Sequence, residues 1–114
     1  MNSITFVDIY SAKEPEKSVY HRELYELLSE RKPSESISHG MMPSWQEHLN
    51  FIATEPYREW CVVLNAAGVT VGCFYITPRN EIGISIFERF RRRGYASQII
   101  KSIIIFNPSV TFKA

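Results

Sequence analysis

Apolar and polar residues change their spacing several times along this chain, and each change marks an element. Ile4-Thr5-Phe6-Val7-Asp8-Ile9-Tyr10 nearly alternates and is rich in β-branched and aromatic residues, which predicts a first strand. The polar stretch from Ser11 to Ser18, with Pro15 inside it, breaks that strand. From Val19 to Glu30 the period lengthens. Tyr20, Leu24, Leu27 and Leu28 recur at i, i+4, i+7 and i+8, the stripe of an amphipathic helix. Pro33 ends it, because the residue before a proline is pushed out of the α region. After a loop from Ser34 to Pro43, Ser44 opens a second helix and Glu47 completes a capping box. Trp45, Leu49 and Ile52 supply the expected buried face, and Pro56 marks the end.

Trp60 to Leu64 and Val69 to Ile76, short and rich in valine and aromatic residues, predict two strands. Asn65-Ala66-Ala67-Gly68 joins them, with the glycine placed for a type I turn closed by a left-handed residue. Pro78-Arg79-Asn80 is a second turn. Glu81 to Phe87 follows as a strand with Ile82, Ile84 and Ile86 on one face and Gly83, Ser85 and Phe87 on the other. A charged loop, Glu88-Arg89-Phe90-Arg91-Arg92-Arg93-Gly94, then runs into a helix on which Ala96, Ile99, Ile100, Ile103 and Ile104 repeat down to Phe106. Asn107-Pro108 stops it, and Val110 to Ala114 is expected to begin one more strand. The order β-α-α-β-β-β-α-β describes a mixed α/β layer fold.

Composition narrows the reading. With 114 residues and 13.2 kDa the chain makes one domain, 1–114. Its 45% hydrophobic and 22% charged residues argue against disorder, and a net charge of +1 gives no general attraction to nucleic acid or membrane. No apolar run is long enough to span a bilayer, and Met1-Asn2-Ser3-Ile4 does not begin a signal peptide. Two cysteines, Cys61 and Cys73, lack metal-ligand spacing. The expectation is a cytoplasmic protein without a metal.

Chemistry is concentrated in the basic loop. The first N–H groups of a helix have no internal partner, and the helix dipole adds partial positive charge there. Gly94 lets a ligand approach the backbone, and Arg91, Arg92 and Arg93 add field around it. The physics predicts a phosphate or pyrophosphate between the Glu81–Phe87 strand and the following helix. A solvated basic surface and a phosphate contact to RNA are the competing readings, and the +1 balance weighs against RNA.

Arg91-Arg92-Arg93-Gly94-Tyr95-Ala96 also resembles the [Q/R]-x-x-G-x-[G/A] signature of the GNAT superfamily of N-acetyltransferases. Glu81 to Ile86 looks like that family's fourth strand, and the likeness covers nearly the whole chain. The resemblance implies a GNAT-like, mostly antiparallel mixed sheet flanked by helices, acetyl-CoA as cofactor and a primary amine as acceptor. It implies that backbone amides from Arg91 to Ala96 hold the pyrophosphate, and that main-chain groups near Ile84 and Ile86 pair with the pantetheine arm. Ser97, in the first turn of the helix, is a further candidate for the phosphate.

Direct transfer needs an unprotonated amine, whereas an alkylammonium has a pKa of about 10.4, like lysine. A carboxylate of raised pKa can remove the proton, and Glu81 is the candidate base. Amino sugars, protein N-termini, polyamines and aminoglycosides all stand as acceptors. His39 lies in the loop that borders the acceptor site in this family, although an ordinary loop histidine is the plainer reading. Met41 and Met42 are candidates to line an adaptable acceptor pocket, with core filling the plainer reading; Trp45, Trp60 and Tyr75 are expected in the core, and His21 and His48 read as surface positions. Cys61 and Cys73 read as small buried strand residues, and Gly72 as a bulge or close approach.

The family continues past the fifth strand with a helix and two more strands that carry a tyrosine general acid. The present sequence ends near that fifth strand. A sheet stopping there has an open edge and uncovered apolar surface, which predicts a homodimer or larger assembly. The alternative function is a catalytically silent acyl-CoA-binding or oligomerisation module.

Overall fold

The computed structural model describes residues 3–30 and 42–112. Among them the chain order is β1 (Thr5–Asp8), α1 (Glu16–Ser29), α2 (Trp45–Ala53), β2 (Glu59–Leu64), β3 (Thr70–Ile76), β4 (Ile82–Ile86) and α3 (Tyr95–Phe106), with a 3-10 turn over Glu88–Phe90 before α3. The strands form one sheet in the order β1-β2-β3-β4 with every pair antiparallel. Sequential strands joined by short turns give this meander directly. The Asn65 turn forms as expected: the Gly68 N–H reaches the Asn65 carbonyl at 2.9 Å, and Gly68 takes a φ of +79°.

Side chains alternate between two layers of core, as a period of two demands. Cys61, Val63, Phe74, Ile76 and Ile86 face α3, where Tyr95, Ile99 and Ile103 complete one cluster. Trp60, Val62 and Cys73 face the opposite way, toward Leu24 and Leu27 of α1 and Ile52 of α2. The sheet is therefore sandwiched between one helix and two. Cys61 and Cys73 are buried, and burial pushes the Cys61 thiol up to about 12, which keeps it protonated and inert. Gly72 marks a close approach, since a Cβ there would run into the Ser85 carbonyl and Ile86.

Local chemistry sets the starts of two helices. Helix α1 begins at Glu16, three residues before the apolar stripe, because Pro15 sits where a missing N–H is harmless and the Glu14 carboxylate accepts from the Ser18 N–H at 2.9 Å and from its hydroxyl. Helix α2 has the capping box written in its sequence: Ser44 Oγ accepts from the Glu47 N–H at 3.1 Å, and Glu47 Oε1 accepts from the Ser44 N–H at 2.8 Å.

Several expectations are corrected. Val110 to Phe112 form no strand, because the Val110 N–H turns back to the Asn107 carbonyl at 3.1 Å and Phe112 packs against the α3-side core beneath Arg58. The four described strands are all antiparallel, within the mostly antiparallel architecture expected. His48 is buried, not on the surface: it lies one turn before Ile52, so the buried stripe of α2 runs through these two residues, and its Nε2 donates to the His21 carbonyl at 3.1 Å. His21 is half-buried, with Nε2 enclosed. That rotation of α2 leaves Trp45 at the rim, 38% exposed, against the rings of Tyr25 and His48. Met42 is exposed rather than core. His39 and Met41 lie outside the described residues.

Candidate functional site

Strand β4 has one partner among the described residues, β3, so its other edge is open. The register shows which groups line that edge. The Thr77 N–H bonds to the Glu81 carbonyl and the Phe87 N–H to the Val71 carbonyl, both at 2.9 Å, which makes the odd-numbered residues the hydrogen-bonded pairs. In an antiparallel ladder the residues between them turn their main-chain groups the other way. Ile82, Ile84 and Ile86 thus send side chains to the α3-side core and their N–H and C=O groups to the open edge.

At its C-terminal end β4 passes through the Glu88–Phe90 turn into the basic loop. Gly94 is the N-cap of α3 with a φ of +82°, and no side chain caps the helix. The first intrahelical bond is that of the Gln98 N–H to the Gly94 carbonyl at 3.1 Å, so the N–H groups of Tyr95, Ala96 and Ser97 precede it. A Cβ at Gly94 would meet nothing within 4 Å, so the loop is open at this residue. Arg92 also has a positive φ, +64°, which bends the loop sharply before the helix. Such a turn followed by an uncapped helix start is a receptor for anionic oxygen.

The arginines are not equivalent. Arg91 Nε donates to the Ile86 carbonyl at 3.0 Å and ties the loop to the last edge group of β4. Arg89 lies over the rings of Phe87 and Phe90 at 4.5 and 5.1 Å, and Arg93 over Phe90 at 5.6 Å. Cation–π contact holds these two guanidinium groups against the loop. Arg92 and Ser97 are exposed beside the helix start, whereas Tyr95 is buried and anchors it.

The structure brings Ile84, Ile86 and Arg91 through Ser97 together at one end of β4. Glu81 stands at the other end, about 20 Å along the strand from Phe87. It is exposed and belongs to the preceding turn: its N–H donates to Thr77 Oγ1 at 3.0 Å, and the Thr77 hydroxyl donates to its carboxylate at 3.2 Å.

A second feature was not foreseen. On the α1/α2 side of the sheet lies an open cavity of about 100 Å³, lined by Leu24, Leu27 and Leu28 of α1, His48 and Phe51 of α2, Tyr57, and Trp60, Cys73, Tyr75 and Ser85 from the sheet. Tyr57 stacks on Tyr75 with ring centroids 4.0 Å apart and meets Trp60 edge-on at 4.8 Å. The cross-strand partner of Tyr75 is Gly83, and a Cβ at Gly83 would collide with the Tyr75 ring, so the missing side chain gives that ring its seat. Burial pushes the His48 pKa below its usual 6.5, leaving it neutral at pH 7. The spacing Tyr75 opposite Gly83 was the only trace of this cavity in the sequence, and it has meaning only once the strand register is known.

No family model and no curated protein sequence matches this chain. Solved structures do. A provisionally assigned phosphinothricin N-acetyltransferase superposes with a TM-score of 0.66 at 14% identity, over 93% of this chain and 67% of its own. A GNAT-superfamily phosphinothricin acetyltransferase from Sinorhizobium meliloti, solved with AcCoA, gives 0.62 at 18% identity over 90% and 58%. A dodecameric spermidine N-acetyltransferase from Vibrio cholerae gives 0.57 at 15% identity over 92% and 61%. The chain therefore has the GNAT acetyltransferase fold, and it spans about two thirds or less of the length of these neighbours. No helix among the described residues is long and apolar enough to cross a membrane.

Proposed function

We propose that this chain is an acetyl-CoA-dependent N-acetyltransferase domain that passes an acetyl group directly to a primary amine. The observation that carries the proposal is the continuity of the open β4 edge with the glycine-headed, uncapped start of α3. An extended, amide-containing arm ending in a pyrophosphate needs both features side by side: main-chain groups to pair with, then bare N–H donors for phosphate oxygens. In this reading Ile84 and Ile86 offer the main-chain groups. Arg91, Arg92, Arg93, Gly94, Tyr95, Ala96 and Ser97 form the anion end, and His39 borders the acceptor. Acetyl-CoA supplies the thioester. Overall the amine nitrogen gains the acetyl group, the thiol is released and one proton leaves the nitrogen. The proton lost as the C–N bond forms balances the one the departing thiolate takes up, and Glu81, the carboxylate at the start of the β4 segment, is the proposed group that first takes the extra proton of the alkylammonium through water. The solved AcCoA complex of a protein with this fold supports the choice of donor.

The test is a calorimetric titration with acetyl-CoA of the wild type and of Gly94→Asp. Aspartate tolerates a positive φ better than most residues and places a negative charge where the phosphates would sit. Micromolar binding that falls at least tenfold in the variant is the expected result; a folded protein that ignores acetyl-CoA, or binding indifferent to Gly94→Asp, overturns the proposal. Release of free thiol with any amine separates an enzyme from a silent acyl-CoA-binding module. Self-association belongs to the same reading. Ile104, Ile105 and Phe106 of α3 are 52%, 72% and 73% exposed, and one neighbour of this fold is a dodecamer. Light scattering of a concentrated sample should show more than a monomer.

A further inference from the structure

Helix α1 ends against its own dipole. Its C-cap residue is Glu30, and its last turn holds no basic side chain. A carboxylate there faces the negative end of the helix and is unfavourable for α1 itself. The contact that compensates lies in a distant part of the chain: Glu30 Oε1 accepts from the Glu88 N–H at 2.9 Å. Glu88 opens the 3-10 turn between β4 and the basic loop, and its N-cap, Phe87, makes no side-chain bond. The turn's own bonds are those of the Phe90 N–H to the Phe87 carbonyl and the Arg91 N–H to the Glu88 carbonyl, at 2.8 and 3.1 Å. Neither uses the Glu88 N–H, which is one of the orphan donors at the start of any helical turn. Glu30 therefore caps this turn from another helix, with the sign of charge that an N-terminal end favours.

A second carboxylate of α1 reaches the same end of the sheet. Glu23, two turns before Glu30 and on the same face, accepts from the Thr70 hydroxyl at 2.6 Å, and the buried Leu27 lies between the two in the helix. Thr70 starts β3, and Gly72 pairs with Ile86, so Thr70 and Glu88 both lie where β4 ends. The two bonds divide the work. Glu23 holds α1 to β3, whereas Glu30 holds the chain just after it leaves β4, ahead of Arg91 through Ser97.

We propose that Glu30 is a positioning residue for the pyrophosphate of acetyl-CoA, fixing the start of the loop whose far end presents the uncapped N–H groups of α3. This rests on the acetyl-transfer reading above and deepens it. The sign of the effect separates position from charge. Removing a carboxylate that is bound to the basic loop should by electrostatics alone tighten an anionic ligand. Removing an anchor of that loop weakens the ligand instead, because apparent affinity falls with the fraction of molecules whose loop is competent to bind.

The test is an acetyl-CoA titration of wild type, Glu30→Ala, Glu30→Gln and Glu23→Ala, with amide hydrogen exchange of each followed by NMR. Glu30→Ala should weaken binding roughly three- to tenfold, the worth of one hydrogen bond, and speed exchange at the Glu88 amide. Glu30→Gln keeps an oxygen acceptor without the charge, and should bind within about twofold of wild type or more tightly. Glu23→Ala removes the other tie of α1; it should lower the urea midpoint and leave acetyl-CoA affinity unchanged. The inference is overturned if Glu30→Ala binds as well as wild type or better, if glutamine does not restore what alanine loses, or if Glu23→Ala weakens binding as much as Glu30→Ala. A folded wild type that ignores acetyl-CoA overturns the transferase reading and this inference with it, a result distinct from any difference among the variants.

Discussion

The two faces of the sheet are built from alternate residues of the same strands, yet they differ in kind. Toward α3 the packing is aliphatic and closed: Val63, Val71 and Ile99 are fully buried, and Phe74 fills the middle beneath the ring of Phe6. Toward α1 and α2 the walls are aromatic, the filling is incomplete, and a histidine and an unpaired indole N–H are buried. Close-packed aliphatic side chains are the cheapest way to hold a fold, because each brings apolar area and no polar atom that needs a partner. A cavity and a stranded donor contribute nothing of that sort. The α3 face carries stability, and the other face gives some of it up.

The contrast can be broken hardest from the closed side. Ile99→Ala should lower the unfolding free energy by about 3 to 4 kcal/mol, read as a shifted urea midpoint at constant slope, because the tight cluster around it cannot relax into the space left. An effect below about 1 kcal/mol would mean that α3 is not packed as described.

A smaller effect sharpens the picture of the open side. Gly83→Ala puts a methyl group into the Tyr75 ring, which has to leave its seat on the strand and its stack on Tyr57. The expected loss is about 1 to 3 kcal/mol of stability, read from the urea midpoint. A loss below about 0.5 kcal/mol, the range of a neutral surface change, would show that the Tyr75 ring does not depend on the space left at Gly83.

The smallest effect is a pH dependence confined to the histidine side. His48 and His21 both have pKa values lowered from 6.5, in each case chiefly by burial, with Lys17 and then His48 adding repulsion at His21. A histidine lowered in the folded state binds fewer protons there than in the unfolded chain. Its contribution is intact above pH 6.5 and is lost as the pH falls toward the folded-state value. Melting temperatures should thus decline below about pH 6.5, and His48→Gln should flatten part of that decline. An unchanged slope in His48→Gln would assign the dependence elsewhere.

What the sequence disclosed was local. The Ser44–Glu47 box, the Gly68 turn, the leucine stripe of α1 and the strand–loop–helix around Gly94 each depend on neighbours within a few positions, and each is found as read. What stayed hidden depends on how elements turn toward one another. Whether Trp45 or His48 faces inward is settled by the packing of α2 on α1, not by the heptad-like spacing of α2 itself. The arginines of the basic loop read as uniform field, but three-dimensional contact gives Arg89 and Arg93 to aromatic rings and Arg91 to a carbonyl. The cavity requires the register of β3 on β4 and the placing of Tyr57, which no spacing along the chain announces.

The Arg91–Ile86 bond has a bearing on solubility. Ile82-Gly83-Ile84-Ser85-Ile86 is an uncharged, isoleucine-rich segment with an unpaired backbone edge, the sort of surface on which identical chains stack into fibrils. A guanidinium bound to its final carbonyl leaves a positive charge at the growing end and one acceptor fewer for an incoming strand. Natural sequences place gatekeeper charges beside segments of this kind. Arg91 serves as one here by folding back onto the strand it protects, so a ligand that pairs with the same edge takes over both the acceptor and the guard duty.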